Sequence, residues 1–246
     1  MTQVLATYNI KGGVGKTSAA VNLAYLAARD GASALLWDLD PQGASTYLFR
    51  IRPKVRGGGR KLVRLKSDPS TLIKGTDHPR LDLLPADFSY RHMDLALDHF
   101  NHPTRRLARV LEPLRAEYEY IFLDCPPSIS LVSESVFGAA DALLVPIIPA
   151  TLSSRTFEQL VGLVDGGPQV LAFFSMVDQR KKLHREVMEQ LRAESSNVLE
   201  TAIPSSVDVE RMGAHRDVVA AFAPRSRVAL AYAALWSDVR QRLADK

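Results

Sequence analysis

Two lysines, three glycines and a threonine near the start of the chain have the order of a phosphate-binding loop. They form the segment Lys11-Gly12-Gly13-Val14-Gly15-Lys16-Thr17, which Ser18 follows. Glycines let successive backbone N–H groups converge on phosphate oxygens. Lys16 would reach the β- and γ-phosphates, and the Thr17 hydroxyl would bind Mg²⁺. We therefore expect residues 11–18 to bind a nucleoside triphosphate.

The loop departs from the common pattern at one position. Ile10 stands five residues before Gly15, where that pattern has glycine, and Lys11 is a second lysine at the front of the loop. The alternative interpretation is a solvated loop lysine beside a poorly formed glycine turn. The flanking residues favour the phosphate loop, because residues 4–8 predict a strand before it and residues 19–28 predict a helix after it.

Three aspartates stand at the ends of apolar runs further along the chain. Asp38 and Asp40 end the run that starts at Leu35, and alternation places both on the same side of an extended chain. Asp124 ends the run 120–123, and an acid at that point can hold Mg²⁺, usually through water. Parallel sheets bind ligands at the C-terminal ends of their strands. For Asp38 and Asp40, the alternative is a pair of strand-end acids that face solvent.

The rest of the sequence predicts the elements that would position these groups. Apolar runs of strand length alternate with helical patterns, which favours an α/β fold with a mostly parallel twisted sheet flanked by helices on both faces. Strands are predicted near residues 3–9, 33–38, 81–85, 119–124, 142–148, 169–174 and 198–203. Helices are predicted near residues 16–29, 89–99, 104–116, 130–139, 152–164, 181–194 and 226–243. We interpret residues 1–246 as a single domain and Asp165-Gly166-Gly167-Pro168 as a turn within it.

Together, the loop and the aspartate segments resemble the ParA/MinD family of ATPases, in particular its small ParA/Soj-like partition members. Lys11-Gly-Gly-Val-Gly-Lys-Thr is similar to the deviant Walker A box of that family. The resemblance implies a P-loop NTPase fold in which Lys11 reaches across a dimer interface to the nucleotide of the other subunit. It also implies that Asp40, in a D-x-D-P-Q segment, orients the attacking water and that Asp38 lies near the Mg²⁺ shell. Asp124 resembles the Walker B acid, followed by a D-C-P-P-S switch II.

The resemblance covers nearly the whole chain and suggests further contacts. It implies that the loop at Pro204 contacts adenine, whereas the alternative is a strand followed by a proline turn. ParA-like proteins bind DNA non-specifically through basic side chains on late helices, which here match Arg192, Arg225 and Arg227, with Lys181, Lys182 and Arg185 near the start of the same helix as Arg192. Each of these is otherwise an ordinary exposed helix charge. Contacts of this kind would be to phosphate and independent of base sequence.

One stretch, from Arg50 to Lys66, holds 8 basic residues and no acid. The remainder has 23 basic and 27 acidic residues, a balance of −4, so the positive excess of +4 lies in this run. Gly57-Gly58-Gly59 at its centre disfavours a helix and predicts a mobile hairpin or loop. Clustered lysine and arginine favour nucleic acid or an acidic protein as partner. The alternative is a solvated loop, or one folded over the nucleotide phosphates. The family resemblance does not explain this basic, glycine-rich insertion, at about residues 50–68.

Composition argues against a membrane-spanning or secreted protein. The sequence has no run of eighteen apolar residues, and its predicted N-terminal strand argues against a signal peptide. A single cysteine, Cys125, fits a small buried residue beside Asp124 in a reducing cytoplasm. The last helix is predicted to be amphipathic from Val228 to Leu243, and it leaves no residues for a MinD-like membrane-targeting helix. We therefore expect a cytoplasmic protein that does not bind membranes, and the resemblance implies that it associates with the nucleoid.

The resemblance implies an Mg²⁺-dependent ATPase with slow intrinsic turnover that forms a homodimer on binding ATP. ATP-bound dimers would bind nucleoid DNA non-specifically, and a ParB-like or cargo-adaptor protein would stimulate hydrolysis and release them. That cycle would position a chromosome, a plasmid or a protein assembly. Two alternatives remain open: a nucleotide-switched protein adaptor that does not bind DNA, and a MinD-like membrane-associated positioning ATPase.

Overall fold

The computed structural model, which describes residues 1–164 and 166–245, contains an eight-stranded sheet. Its strands are β1 (Gln3–Thr7), β2 (Ala34–Asp38), β3 (Lys74–Gly75), β4 (Leu81–Leu84), β5 (Tyr120–Asp124), β6 (Ala142–Ile147), β7 (Gln169–Val177) and β8 (Val198–Pro204). They lie in the order β3-β4-β2-β5-β1-β6-β7-β8. Every pairing is parallel except that of β3 with β4. The predicted α/β fold with a mostly parallel sheet is confirmed.

Helices pack against both faces of this sheet. They are α1 (Lys16–Arg29), α2 (Ala44–Leu48), α3 (Gly58–Val63), α4 (Met93–Leu97), α5 (Arg106–Leu111), α6 (Leu131–Phe137), α7 (Ser153–Leu163), α8 (Lys182–Glu194), α9 (Val207–His215), α10 (Val219–Phe222) and α11 (Arg227–Ala244). Successive residues of β1 point to opposite faces. Leu5 therefore packs with Leu23 of α1 and Trp236 of α11, while Val4 belongs to the core on the other face, with Leu107 of α5.

Two predicted helices are shorter than their sequence patterns. Residues 89–99 divide into a 3₁₀ turn, Phe88–His92, and α4. Residues 104–116 divide into α5 with 3₁₀ turns on either side, Pro103–Arg105 and Glu112–Ala116. Proline has no backbone N–H to donate and tolerates only the first turn of a helix, so α5 ends at Leu111, before Pro113.

The prediction of a hairpin or loop at Gly57-Gly58-Gly59 is wrong, because these glycines begin helix α3. Gly57 caps the helix with a φ of 90°, a conformation that glycine adopts without steric cost. Gly59 is buried so closely against Tyr90 that an added Cβ would lie 2.7 Å from its ring. Leu62 and Val63 are fully buried. Burial of this face therefore outweighs the low helix propensity of glycine.

Several short elements escaped prediction, namely β3, α2, α9 and α10. They are too short, or too little buried, to show a clear hydrophobic period; α9, for example, buries only Met212. Of the predicted turn at 165–168, Asp165 lies outside the described residues. Across the described part of the chain, no helix combines the length and apolar character that a membrane crossing requires.

Candidate nucleotide site

Three neighbouring strands bring the predicted phosphate loop and two of the aspartates to one edge of the sheet. In the pairing register, Thr7 of β1 lies opposite Asp124 of β5, and Asp124 lies opposite Asp38 of β2. The loop follows β1 directly and leads into α1. All three strands end here in the same direction, so this edge is the one at which parallel sheets bind ligands.

The glycines of the loop set its backbone path. Gly15 has a φ of 96° and caps α1, and Gly13 has a φ of 71°. A Cβ on Gly15 would also lie 2.9 Å from the Ser175 hydroxyl oxygen, so a side chain there is excluded by both conformation and space. With no side chain in the way, the loop and the start of α1 present free backbone N–H groups to an anion.

The two lysines of the loop differ in environment. Lys16 is buried, and its Nζ donates a hydrogen bond to the Lys11 carbonyl oxygen at 2.8 Å. Burial lowers the pKa of Lys16, while the nearby Asp124 carboxylate raises it. The side chain of Lys11 is exposed, and its backbone N–H donates to Asn9 Oδ1 at 3.0 Å. One lysine is therefore held inside the loop, and the other is free to meet a group outside it.

Asp124 is the carboxylate best placed for a metal ion. It is fully buried, and burial raises its pKa to about 6, although the hydroxyls of Ser45 and Thr17 favour the charged form. Ser45 Oγ donates to Asp124 Oδ2 at 2.7 Å. Among the described residues, Oδ1 has no hydrogen-bond partner within bonding geometry. A buried carboxylate oxygen without a partner, beside the Thr17 hydroxyl, fits Mg²⁺ or its bound water.

Asp38 lies beside Asp124 but makes different contacts. Its Oδ2 accepts hydrogen bonds from the Thr46 backbone N–H at 2.8 Å and from the Thr46 hydroxyl at 2.7 Å, and its Oδ1 accepts from the Asp40 N–H. Burial, followed by the charge of Asp124, raises the pKa of Asp38 to about 8. These contacts favour a role in positioning the loop before α2. Its place near a Mg²⁺ shell stays a prediction.

The other predicted residues line three neighbouring cavities. A cavity of 260 Å³ is lined by Gly12, Gly13, Gly15, Lys16, Thr17, Ser18 and Asp40, with Pro127 and Met176. A smaller cavity of 80 Å³ shares Gly15, Ser18 and Met176 with it and includes Pro204. Lys11 and Val14 line a third, mainly apolar cavity of 160 Å³. The structure thus brings the predicted loop, Asp40 and Pro204 together, with Lys11 at the margin.

Several residues of the site were not found from the sequence. Ser45 and Thr46 bond the two buried aspartates, and the Tyr8 hydroxyl donates to the Ser128 carbonyl at 2.8 Å, which anchors the loop after β5. Met176 lies between two cavities with a φ of 56°, an uncommon conformation for a residue other than glycine. The partners of Tyr8 and Ser45 lie 120 and 79 residues away, so no local pattern points to these two residues.

The three arginines predicted to contact DNA differ in how many contacts their side chains make within the chain. The Arg192 guanidinium donates to the Glu200 carbonyl and lies 5.5 Å from the centre of the Phe174 ring. Arg225 and Arg227 are exposed at the start of α11. The contacts of Arg192 therefore favour a structural role, whereas Arg225 and Arg227 are accessible to a partner.

Comparison with known proteins agrees with this geometry. The family described as "AAA domain" matches residues 2–172. The sporulation initiation inhibitor protein Soj of Bacillus subtilis (strain 168) is 30% identical over 97% of this chain and 98% of its own length. The chromosome partitioning protein ParA of Caulobacter vibrioides is 31% identical over 99% of this chain and 96% of its own.

A solved structure with bound nucleotide has a similar fold. Cobyrinic acid a,c-diamide synthase from Mycobacterium smegmatis, with bound ADP and magnesium, matches with a TM-score of 0.84 and 25% identity, covering 99% of this chain and 96% of that one. The fold and the loop define a P-loop nucleotide-binding protein. More narrowly, the chain belongs to the ParA/Soj/MinD family of ATPases, which confirms the predicted resemblance.

Proposed function

We propose that this chain, acting as a single domain, is an Mg²⁺-dependent ATPase that dimerises around ATP, binds nucleoid DNA non-specifically and positions a cargo. The observation that carries the proposal is the contrast between a buried Lys16 and an exposed Lys11 in one phosphate loop. An exposed cation at the margin of the site can act on the nucleotide of a second copy, as an arginine finger does. Hydrolysis would then depend on dimerisation.

The residues of the site suit in-line hydrolysis of ATP. Asp40, half-buried and lining the same cavity as Lys16, would orient a water molecule whose oxygen attacks the γ-phosphorus as the bond to ADP breaks. Lys16, together with Lys11 of the other subunit, would stabilise the charge on the transferred phosphoryl group. Thr17 and Asp124 would hold Mg²⁺, which neutralises phosphate charge when bound. Pro204 and Met176 would border the adenine.

Relatives supply the wider setting of the proposal. Two of them are named as a sporulation initiation inhibitor and a chromosome partitioning protein. By analogy, this chain would work in the cytoplasm on the nucleoid, with slow intrinsic turnover and a ParB-like or cargo-adaptor protein that stimulates it. Arg225 and Arg227 would contact DNA phosphates. The cargo would be a chromosome, a plasmid or a protein assembly.

Substitution of Lys11 tests the proposal. In Lys11→Ala we expect ATP still to bind, because Lys16 and the loop backbone remain, but the ATP-dependent dimer to be lost in analytical ultracentrifugation. Phosphate release should fall by about 10³-fold, the low end of what a cation supplied in trans contributes. Lys181→Ala removes an exposed lysine at the start of α8 and serves as the control. A Lys11→Ala protein that dimerises and hydrolyses ATP like wild type would refute the mechanism.

DNA and membrane binding separate this function from its alternatives. Wild-type protein should retain duplex DNA only with ATP, and raised salt should release it. If the protein binds no DNA with ATP, with ADP or without nucleotide, the protein-adaptor function is favoured. Sedimentation with anionic liposomes in ATP would favour a membrane-associated role.

A further inference from the structure

The basic segment consists of residues 50–66 together with Lys74 of the edge strand β3. None of these residues lines the nucleotide site described above. The basic residues between positions 50 and 66 are Arg50, Arg52, Lys54, Arg56, Arg60, Lys61, Arg64 and Lys66. Of these, Arg50 forms an ion pair, with Asp77 at 2.8 Å; within the described residues the other seven form none. Six of those seven side chains are exposed and Arg64 is half-buried. The segment therefore presents a concentration of uncompensated charge.

The fold holds this segment by its backbone and its apolar residues. The Val55 N–H donates to Asp87 Oδ2 at 2.8 Å, and the Gly59 N–H donates to the Ser89 hydroxyl at 2.9 Å. Leu62 and Val63 anchor α3 in the core. Since the anchors are backbone groups and buried hydrocarbon, the cations are left for an external partner.

Grooves on both sides of α3 carry these cations. Among the described residues, Arg52, Lys54, Arg56 and Lys74 line a groove of 820 Å³, and no acidic residue does. A second groove, of 380 Å³, is lined by Arg60 and Arg64 together with His92 and His99. The positive surface is therefore extended and continues across a helix, which suits a long polyanion better than a single small anion.

The opposite edge of the sheet shows a different use of charge. Between Asp178 and Glu200 the chain has 5 basic and 5 acidic residues. Arg180 pairs with Asp178 at 3.0 Å, and Lys182 pairs with Glu186 at 3.2 Å. A balanced, internally paired surface releases few counterions when it meets DNA, so the β8 edge gains less from such contact.

We propose that the basic segment is a DNA-binding surface, which contacts the phosphodiester backbone through Arg52, Lys54, Arg56 and Lys74, with Arg60 and Arg64 extending it across α3. The inference rests on the proposed function and assigns its DNA contacts to the β3 edge as well as to α11. These are side-chain contacts to phosphate, so they carry no base specificity and weaken steeply with salt.

The cations that line the larger groove favour DNA over an acidic protein. A docked peptide gains most of its affinity by inserting apolar side chains into a pocket. Val55 and Leu72, which line the larger groove, are only 4% and 6% exposed, so these two side chains are used by the core of this chain. Four exposed cations stand around this groove with no carboxylate among the described lining residues, and charge-assisted hydrogen bonds to successive phosphate oxygens require such a set.

A matched pair of fourfold variants of the full chain tests this surface. R52Q/K54Q/R56Q/K74Q removes four exposed cations at the β3 edge, and R180Q/K181Q/K182Q/R185Q removes four exposed cations at the β8 edge. Both variants change the net charge from +4 to 0, by subtraction of four charges. Affinity for a mixed-sequence DNA duplex is measured by fluorescence anisotropy with ATP and Mg²⁺ over a series of KCl concentrations. ATP binding and far-UV circular dichroism check that each variant is folded.

We expect the β3-edge variant to bind DNA at least about 30-fold more weakly near physiological salt. Its slope of log K against log salt should be shallower by about 3.6, because each of the four phosphate contacts contributes about 0.9. The β8-edge variant should stay within about threefold of wild type, since Arg180 and Lys182 are already paired with acids and the charge around all four residues is balanced. Comparable losses in both variants, or a larger loss in the β8-edge variant, would overturn the inference and leave the proposed function intact.

Two further outcomes are distinguishable. If the wild-type chain itself fails to bind DNA with ATP, the proposed DNA-binding function fails, and this inference fails with it. If poly-L-glutamate binds the wild type more tightly than DNA, and the β3-edge variant loses that binding, the surface belongs to an acidic protein and the assignment to DNA is overturned.

Discussion

The phosphate loop and the basic segment both use positive charge, but the fold holds that charge in different ways. In the loop, Lys16 is buried, its Nζ is fixed on the Lys11 carbonyl, and Gly15 fits against Ser175. In the basic segment the backbone is fixed, through Val55 and Gly59, while the charged side chains extend from it. A preorganised loop suits one phosphate geometry, whereas mobile surface charges accept a polyanion in many registers.

This difference predicts how each region responds to mutation. In the loop, a single change of backbone or charge should have a large effect, because every group has a fixed place. In the basic segment, single changes should have small and similar effects that accumulate with the number of charges removed.

Apart from the loss already expected for Lys11→Ala, the largest effect should come from Lys16. We expect Lys16→Ala to lower the rate of ATP hydrolysis by about 100- to 1000-fold, the range found when one preorganised electrostatic group is removed from a transition state. Release of phosphate measures it. Lys61→Ala, in the basic segment, is the matched control and should change the rate without DNA by less than about twofold, a surface-charge effect. Equal rates of ATP hydrolysis in Lys16→Ala and Lys61→Ala would show that the loop lysine is no more important for hydrolysis than a lysine of the basic segment.

Next comes the glycine that caps α1. Gly15→Ala should lower the free energy of unfolding by about 1–3 kcal/mol, because the residue keeps a strained φ and its Cβ meets the Ser175 hydroxyl oxygen. Gly12→Ala is the control, since Gly12 has no positive φ and its Cβ would lie 4.0 Å from Pro127. Urea denaturation of both variants measures the difference. Equal destabilisation would show that the loop is less rigid than its geometry indicates.

The sequence predicted the loop well and the basic segment poorly, for a physical reason. Lys11 to Thr17, Asp38 and Asp124 could be found because strand, loop and carboxylate follow one another locally, and the parallel register then brings the strand ends together. The helix at Gly58–Val63 could not be found, because it depends on burial against Tyr90. Ser45 escaped for the same reason, since its partner Asp124 is 79 residues away.

A smaller effect should come from the hydroxyl that bonds Asp38. Thr46→Val keeps the side-chain shape but removes the bond to Asp38 Oδ2 and the acceptor for the Ala86 N–H at 2.9 Å. We expect a loss of about 1–2 kcal/mol in the free energy of unfolding, because buried polar groups lose a partner. Thr156→Val, at an exposed hydroxyl on α7, is the control and should be nearly neutral. Similar values for both would mean that Asp38 does not depend on Thr46.

The smallest effect should be that of Arg192 on DNA binding. Its guanidinium is held by Glu200 and the Phe174 ring, so Arg192→Gln should change the affinity for a DNA duplex, with ATP, by less than about twofold, the effect of a surface charge that is already paired. The double variant R225Q/R227Q removes two exposed arginines and should weaken binding by about five- to tenfold and flatten the salt slope by about 2. Anisotropy titrations over a KCl series measure both. A larger loss of affinity in Arg192→Gln than in R225Q/R227Q would contradict this prediction. It would mean that the Arg192 guanidinium releases Glu200 to bind DNA, so that a charge paired within the chain can still contact DNA.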